Sequence, residues 1–81
     1  MPWRRLKTIN SHVGKYRFLH ECEDTGLWVA RQPDIPSPYA YGPTWPVYNW
    51  KGKNVIIRET RHKQYEVFEV PASEPLLKEE N

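Results

Sequence analysis

Hydrophobic and polar residues alternate with period two over much of the chain, the pattern of half-buried strands. From Tyr16 to Glu23, the residues Tyr16, Phe18, His20 and Cys22 fall on one face. Arg17, Glu21 and Glu23 fall on the other, with Leu19 as the exception, so a strand is predicted there. Asp24-Thr25-Gly26 reads as a hairpin turn, with the glycine suited to the left-handed region. Leu27 to Arg31 is the partner strand, and its run of Leu27, Trp28, Val29 and Ala30 points to burial on both faces. In the second half, Val47–Trp50 and Val55–Glu59 flank Lys51-Gly52-Lys53-Asn54, where glycine and asparagine tolerate positive φ. Gln64–Val70 is a third strand, joined through Thr60-Arg61-His62-Lys63 and stopped by Pro71, which has no amide for a ladder.

Two segments do not alternate cleanly. Trp3, Leu6, Ile9 and Val13 have near-helical spacing with Gly14 at a helix end. The same residues also allow a strand over Leu6–Ile9 and a loop over Asn10–Gly14. The strand is preferred, because five or six strands close a small sheet better than four. Residues 33–46 hold five of the eight prolines together with Tyr39, Tyr41 and Trp45. This composition excludes helix, strand and flexible Gly/Ser linker, and a fourteen-residue loop in so small a domain is commonly functional.

The fold class that follows is all-β: a small five- or six-stranded antiparallel, partly open barrel of SH3-like size, or a two-layer sheet. Residues 1–71 form the single β domain with its loop at 33–46, and residues 72–81 form an acidic, flexible tail. At 81 residues there is room for one domain only. Leu, Ile, Val and Phe make up 17 residues, close to the roughly 20% below which chains stay disordered. Eleven aromatics make up the apolar deficit, since each buries a large area. No run approaches the ~20 apolar residues of a membrane span, and the N-terminus lacks the apolar stretch of a secretory leader. The single Cys22 excludes an internal disulfide, which favours a reducing, cytoplasmic setting.

Charge is sorted along the chain. Arg4, Arg5, Lys7, Lys15 and Arg17 lie in the first twenty residues without an acid, and Lys51, Lys53, Arg58, Arg61 and Lys63 face only Glu59. From Gln64 onward five glutamates oppose Lys78. Basic residues interleaved with Tyr48 and Trp50 are the make-up of a surface that stacks single-stranded bases. Lys51, Lys53, Arg58, Arg61, His62 and Lys63 are therefore the candidate nucleic-acid contacts. Cations on a hairpin equally serve as a solvated face or an edge guard, and the pI near 8.8 is milder than that of dedicated nucleic-acid domains, above about 9.

The leading functional expectation is a non-enzymatic module that binds another protein through Tyr39, Tyr41 and Trp45, aided by Tyr48 and Trp50. Prolines pre-stiffen such a loop, so displaying its rings costs less ordering entropy, and Tyr and Trp are residues in which binding energy concentrates. The competing structural role is a lid in which Tyr41 and Trp45 plug the core. Nucleic acid is the alternative partner, and no membrane is expected, since one Trp beside Arg4 and Arg5 is modest for surface insertion. His20-x-Cys22 with His12 and His62 lacks the paired spacings of structural zinc, so neither metal nor cofactor is expected. Glu59, Arg61 and His62 lie close in the chain, but neighbouring strand residues point to opposite faces. No catalytic motif is present, and enzymatic activity is not expected.

Overall fold

A computed structural model describes residues 3–30 and 44–78. The elements in chain order are β1 (Arg4–Ile9), α1 (His12–His20), β2 (Glu23–Val29), β3 (Trp45–Trp50), β4 (Lys53–Arg61), β5 (Gln64–Glu69) and β6 (Leu77–Lys78). All six strands join one antiparallel sheet in the order β1-β5-β4-β3-β2-β6. The edges β1 and β6 do not pair, so the all-β domain is an open sheet and not a closed barrel. Within the expected tail, Leu77 and Lys78 pair with Trp28 and Leu27.

The expected strand over Tyr16–Glu23 is instead mostly helix. Ser11 sits in an extended N-cap conformation, and its hydroxyl accepts from the Gly14 amide at 2.9 Å. In helical geometry Gly14, Lys15, Phe18, Leu19 and Cys22 form one stripe at three- and four-residue spacing, and these are the residues withdrawn from solvent. Tyr16, assigned to the core by the two-residue period, is 61% exposed. Gly14 permits the close approach of α1 to β1, because a Cβ there would lie 2.9 Å from the Ile9 Cγ2 methyl. The helix ends with Arg17 and His20 in its last turn, where cations favour the dipole.

Asp24-Thr25-Gly26 is likewise not a hairpin turn but a bulge inside β2, where the register with β3 shifts between Asp24 and Leu27. The turn chemistry is still present. Asp24 Oδ1 accepts from the Gly26 amide at 2.9 Å, and the Thr25 hydroxyl donates to the Val47 carbonyl at 2.7 Å. Gly26 has φ +71°. The β3–β4 connection is the two-residue turn Lys51-Gly52, both with positive φ, as hairpins of this length require.

The sheet buries a cluster on each face. Ile9, Phe18, Val55, Tyr65 and Val67 lie on the face covered by α1, with Tyr48, Trp50 and Ile57 packed beside them. Val29, Trp45, Val47, Ile56, Phe68 and Val70 form the second cluster. Trp45 is 2% exposed within it, so this ring, expected among the partner-binding aromatics, is a core residue. Its strand alternation explains why: Trp45 and Val47 point to one face, and Pro46, Tyr48 and Trp50 to the other.

Arg58 is also withdrawn from the expected basic surface. It is fully buried, donating to Glu66 Oε1 at 3.1 Å with its guanidinium 5.1 Å from the Phe68 ring centre. Arg5 donates to the other Glu66 oxygen at 2.8 Å. Burial alone would raise the Glu66 carboxyl, but the hydrogen bonds and charges of Arg5 and Arg58 hold it below its ordinary value. A depressed folded-state value stabilises the fold above the unfolded carboxyl range, near pH 4.3, and that contribution is lost as pH falls through the folded value. The urea midpoint should therefore drop on acidification below about pH 5, and Glu66→Gln should be less stable at neutral pH with a flatter acid limb. An acid limb of unchanged steepness in Glu66→Gln would refute this role.

Candidate functional site

A concavity arises where β3 and β4 part. Their ladder runs from Trp50↔Lys53 to Tyr48↔Val55 and stops there. The next residue of β3 on that face is Pro46, which has no amide to donate and pairs only on its β2 side, with Trp28. Continuing the register would set Pro46 beside Ile57, and the two instead flank a gap. Lys15 and Leu19 of α1 roof it, and Trp45 and Tyr48 complete its walls, giving a cleft of about 290 Å³. This volume lies near the lower end of the roughly 300–1,000 Å³ typical of ligand pockets, room for one large side chain or ring. Of the lining residues, Lys15, Tyr48 and Trp45 carry polar side-chain atoms and the others are apolar. Burial, and then the charges of Asp24 and Cys22, push the Tyr48 hydroxyl above its ordinary value, so it stays a neutral donor.

At one end of this face, beside the β3–β4 turn, Trp50 is half-buried. Its ring lies 5.0 Å from that of Phe18, and its indole N–H donates to Glu21 at 3.3 Å. Lys7 and Lys51 place their ammonium groups 5.9 and 4.9 Å from the Trp50 ring. At the opposite end, the Lys15 ammonium lies 4.9 Å from the Tyr65 ring centre. The Tyr65 hydroxyl is hydrogen-bonded to His12 Nδ1, and the His12 ring stands edge-on to His62 at 5.7 Å. Burial, followed by the charges of Glu59 and Tyr16, raises the Tyr65 hydroxyl. Lys15 thus belongs both to the apolar cleft and to a polar cluster beyond it.

The sequence-predicted residues are distributed as follows. Tyr48 and Trp50 lie on the α1 face, one in the cleft and one beside it, whereas Trp45, though it lines the cleft, belongs to the cluster on the opposite face. Tyr39 and Tyr41 lie outside the described residues. Lys51 and Lys53 sit at the β3–β4 turn, and Arg61, His62 and Lys63 at the β4–β5 turn. These turns are separated by the length of β4, about 26 Å at ~3.3 Å per residue, with Arg58 buried between them. The basic residues do not make one patch. Among the described residues no group of three or more His, Cys, Asp or Glu is placed to hold a metal ion. His12 and His62 meet, while His20 and Cys22 lie at the far end of α1. Burial, and then Glu21, raise the Cys22 thiol, which disfavours the thiolate.

Sequence reasoning missed Lys15, Leu19, Pro46, Ile57 and Tyr65 as site residues, and weighed His12 only as a metal ligand. Two signals pointed to them: Leu19 broke the strand pattern, and Pro46 stood inside the apolar run that became β3. Among the described residues no helix is long and apolar enough to cross a membrane. Neither a protein-family model, nor a curated protein, nor a solved structure matches the chain.

Proposed function

We propose that the protein is a non-enzymatic interaction module that captures a segment of another protein by seating one of its apolar side chains in the α1–β3–β4 cleft. The observation that carries this reading is the gap beside Pro46, walled by half-buried Tyr48, Leu19 and Ile57 with Lys15 at its rim. A concave apolar site with few polar groups is the usual form of a recognition pocket. Trp50 supplies a rigid ring on the same face, with its cations offering charge complementarity to an acidic segment. No cofactor is part of this reading. The lone thiol of Cys22 supports a reducing compartment such as the cytoplasm.

Peptide display against the immobilised protein tests it. Selected peptides should share one large apolar residue flanked by acids. Tyr48→Ala and Leu19→Lys should each weaken them by about tenfold or more, equivalent to about 1.4 kcal/mol, without loss of the cooperative unfolding transition. Peptides that bind both variants at full strength would sink the proposal. A single-stranded oligonucleotide is the comparison arm. Tighter oligonucleotide binding, falling steeply with salt, would favour the nucleic-acid alternative through Lys51, Lys53, Arg61, His62 and Lys63.

A further inference from the structure

We propose that the polar end of the cleft is a subsite for a phosphate monoester carried beside the apolar group of the same partner segment, with Lys15, His12 and His62 as its donors. The inference deepens the reading of the cleft given above and shares its site. It starts from the continuity through Lys15, which lines the cleft and reaches over the Tyr65 ring. Tyr65 in turn holds His12 Nδ1, so Nε2 is the nitrogen His12 has to offer a ligand. His62 arrives from the β4–β5 turn with its ring 5.7 Å from that of His12, and both histidines are exposed. A chain of contacts thus runs from the cleft through Lys15, Tyr65 and His12 to His62, with donors from α1 and from the β4–β5 turn.

The donor type selects the anion. A carboxylate is best met by the planar fork of an arginine, and the donors here are an ammonium and two imidazoles. Point donors arriving from different directions suit a phosphate monoester, which presents three acceptor oxygens and a charge of about −1.5 to −2. The Lys15 ammonium supplies the charge, and the two imidazoles add directed nitrogen donors. Glu59 from β4 and Tyr16 from α1 both act on the Tyr65 hydroxyl, so an acid stands near the cluster and the donors must hold an anion against it.

The charge of the ligand gives a distinctive signature. A phosphate monoester loses its second charge near pH 6, whereas a sulfate monoester keeps a single charge throughout. Phenyl phosphate should therefore bind more tightly than phenyl sulfate above about pH 7, and that advantage should shrink as pH falls through about 6. The experiment is an NMR titration of the full chain with phenyl phosphate, phenyl sulfate, phenol and inorganic phosphate at several pH values. Saturable shifts are expected at the His12 and His62 ring protons, and shifts from the phenyl group at the Leu19 and Ile57 methyls. His62→Gln should weaken phenyl phosphate about fivefold or more and leave phenol unchanged, and Lys15→Gln, which also alters the cleft lining, should weaken phenyl phosphate by a larger factor than phenol.

Phenyl phosphate binding no tighter than phenol, or shifts confined to Lys51 and Lys53, overturns the phosphate subsite. Methyl signals that ignore every phenyl compound, while inorganic phosphate still moves the histidines, overturn the cleft reading and leave the anion site standing. A 5′-phosphorylated dinucleotide that binds much more tightly than phenyl phosphate overturns a protein side chain as the source of the phosphate.

Discussion

Replacing Arg58 by Ala should abolish cooperative unfolding or bring the urea midpoint close to zero, a loss of about 3–5 kcal/mol. The side chain is completely buried, donates to Glu66 and lies over the Phe68 ring. Truncation removes its stacking surface, opens a cavity and leaves Glu66, whose side chain is 14% exposed, with Arg5 as its remaining arginine. Arg5 cannot compensate fully, since its own side chain is 59% exposed and solvent screens its charge. For small domains the whole margin is often near 5 kcal/mol, so the loss is close to total. Arg58→Met keeps an unbranched apolar chain over Phe68. Paired with Glu66→Gln it also removes the stranded charge, so the double variant should recover much of the stability. Arg58→Ala that unfolds within 1 kcal/mol of the parent would show that the buried pair contributes little. The variant also separates the functional readings. Loss of oligonucleotide binding in Arg58→Ala would report unfolding and not a missing phosphate contact.

Arg58 marks the boundary of what local pattern can reveal. The strand over Val55–Glu59 was legible because Val55 and Ile57 share a face with period two, and Lys51-Gly52 has the residues of a tight turn. Period two also places Ile56 and Arg58 together, yet the eye assigns an arginine to solvent unless its partner is known. That partner, Glu66, sits eight residues on, across a register fixed by the His62-Lys63 turn. The helix escapes the local pattern for a different reason. Over eight residues, Tyr16, Phe18, His20 and Cys22 alternate as a strand would, while Lys15, Phe18, Leu19 and Cys22 satisfy a helix equally well. Ser11 as an N-cap, three residues before Gly14, is the local signal that decides between them. Asp24-Thr25-Gly26 had the right chemistry but the wrong consequence, because the same side-chain hydrogen bonds close a turn or a bulge. The cleft itself was the least legible feature. It depends on where the β3–β4 ladder stops and on which helical residues roof the gap, both tertiary facts, with Pro46 and the misfit of Leu19 as the local hints.

Phe18→Ala is the second substitution with a large expected effect, about 3–5 kcal/mol. Phe18 is the one buried side chain of α1. It is 1% exposed, packed with Ile9, Val55, Tyr65 and Val67, its ring 5.0 Å from that of Trp50. A nine-residue helix cannot hold itself together in water, and Gly14 inside it costs about 1 kcal/mol relative to alanine. The hydrogen bonds of the Ser11 cap and the Cys22 thiol are too few to offset that cost. The helix therefore persists because Phe18 ties it to the sheet. Removing the ring should melt α1 ahead of the strands, seen as early amide exchange over residues 12–20 and loss of the ring-current shift on Trp50. Val13→Ala and Tyr16→Ala, at 60% and 61% exposed positions of the same helix, should stay within about 0.5 kcal/mol of the parent. Because Lys15 and Leu19 roof the cleft only while α1 is docked, Phe18→Ala should also lose peptide binding, although Phe18 is not among the residues lining the cleft. Retained helix protection together with full peptide affinity in Phe18→Ala would mean that α1 is anchored elsewhere, and the cleft would then owe its shape to the strands alone.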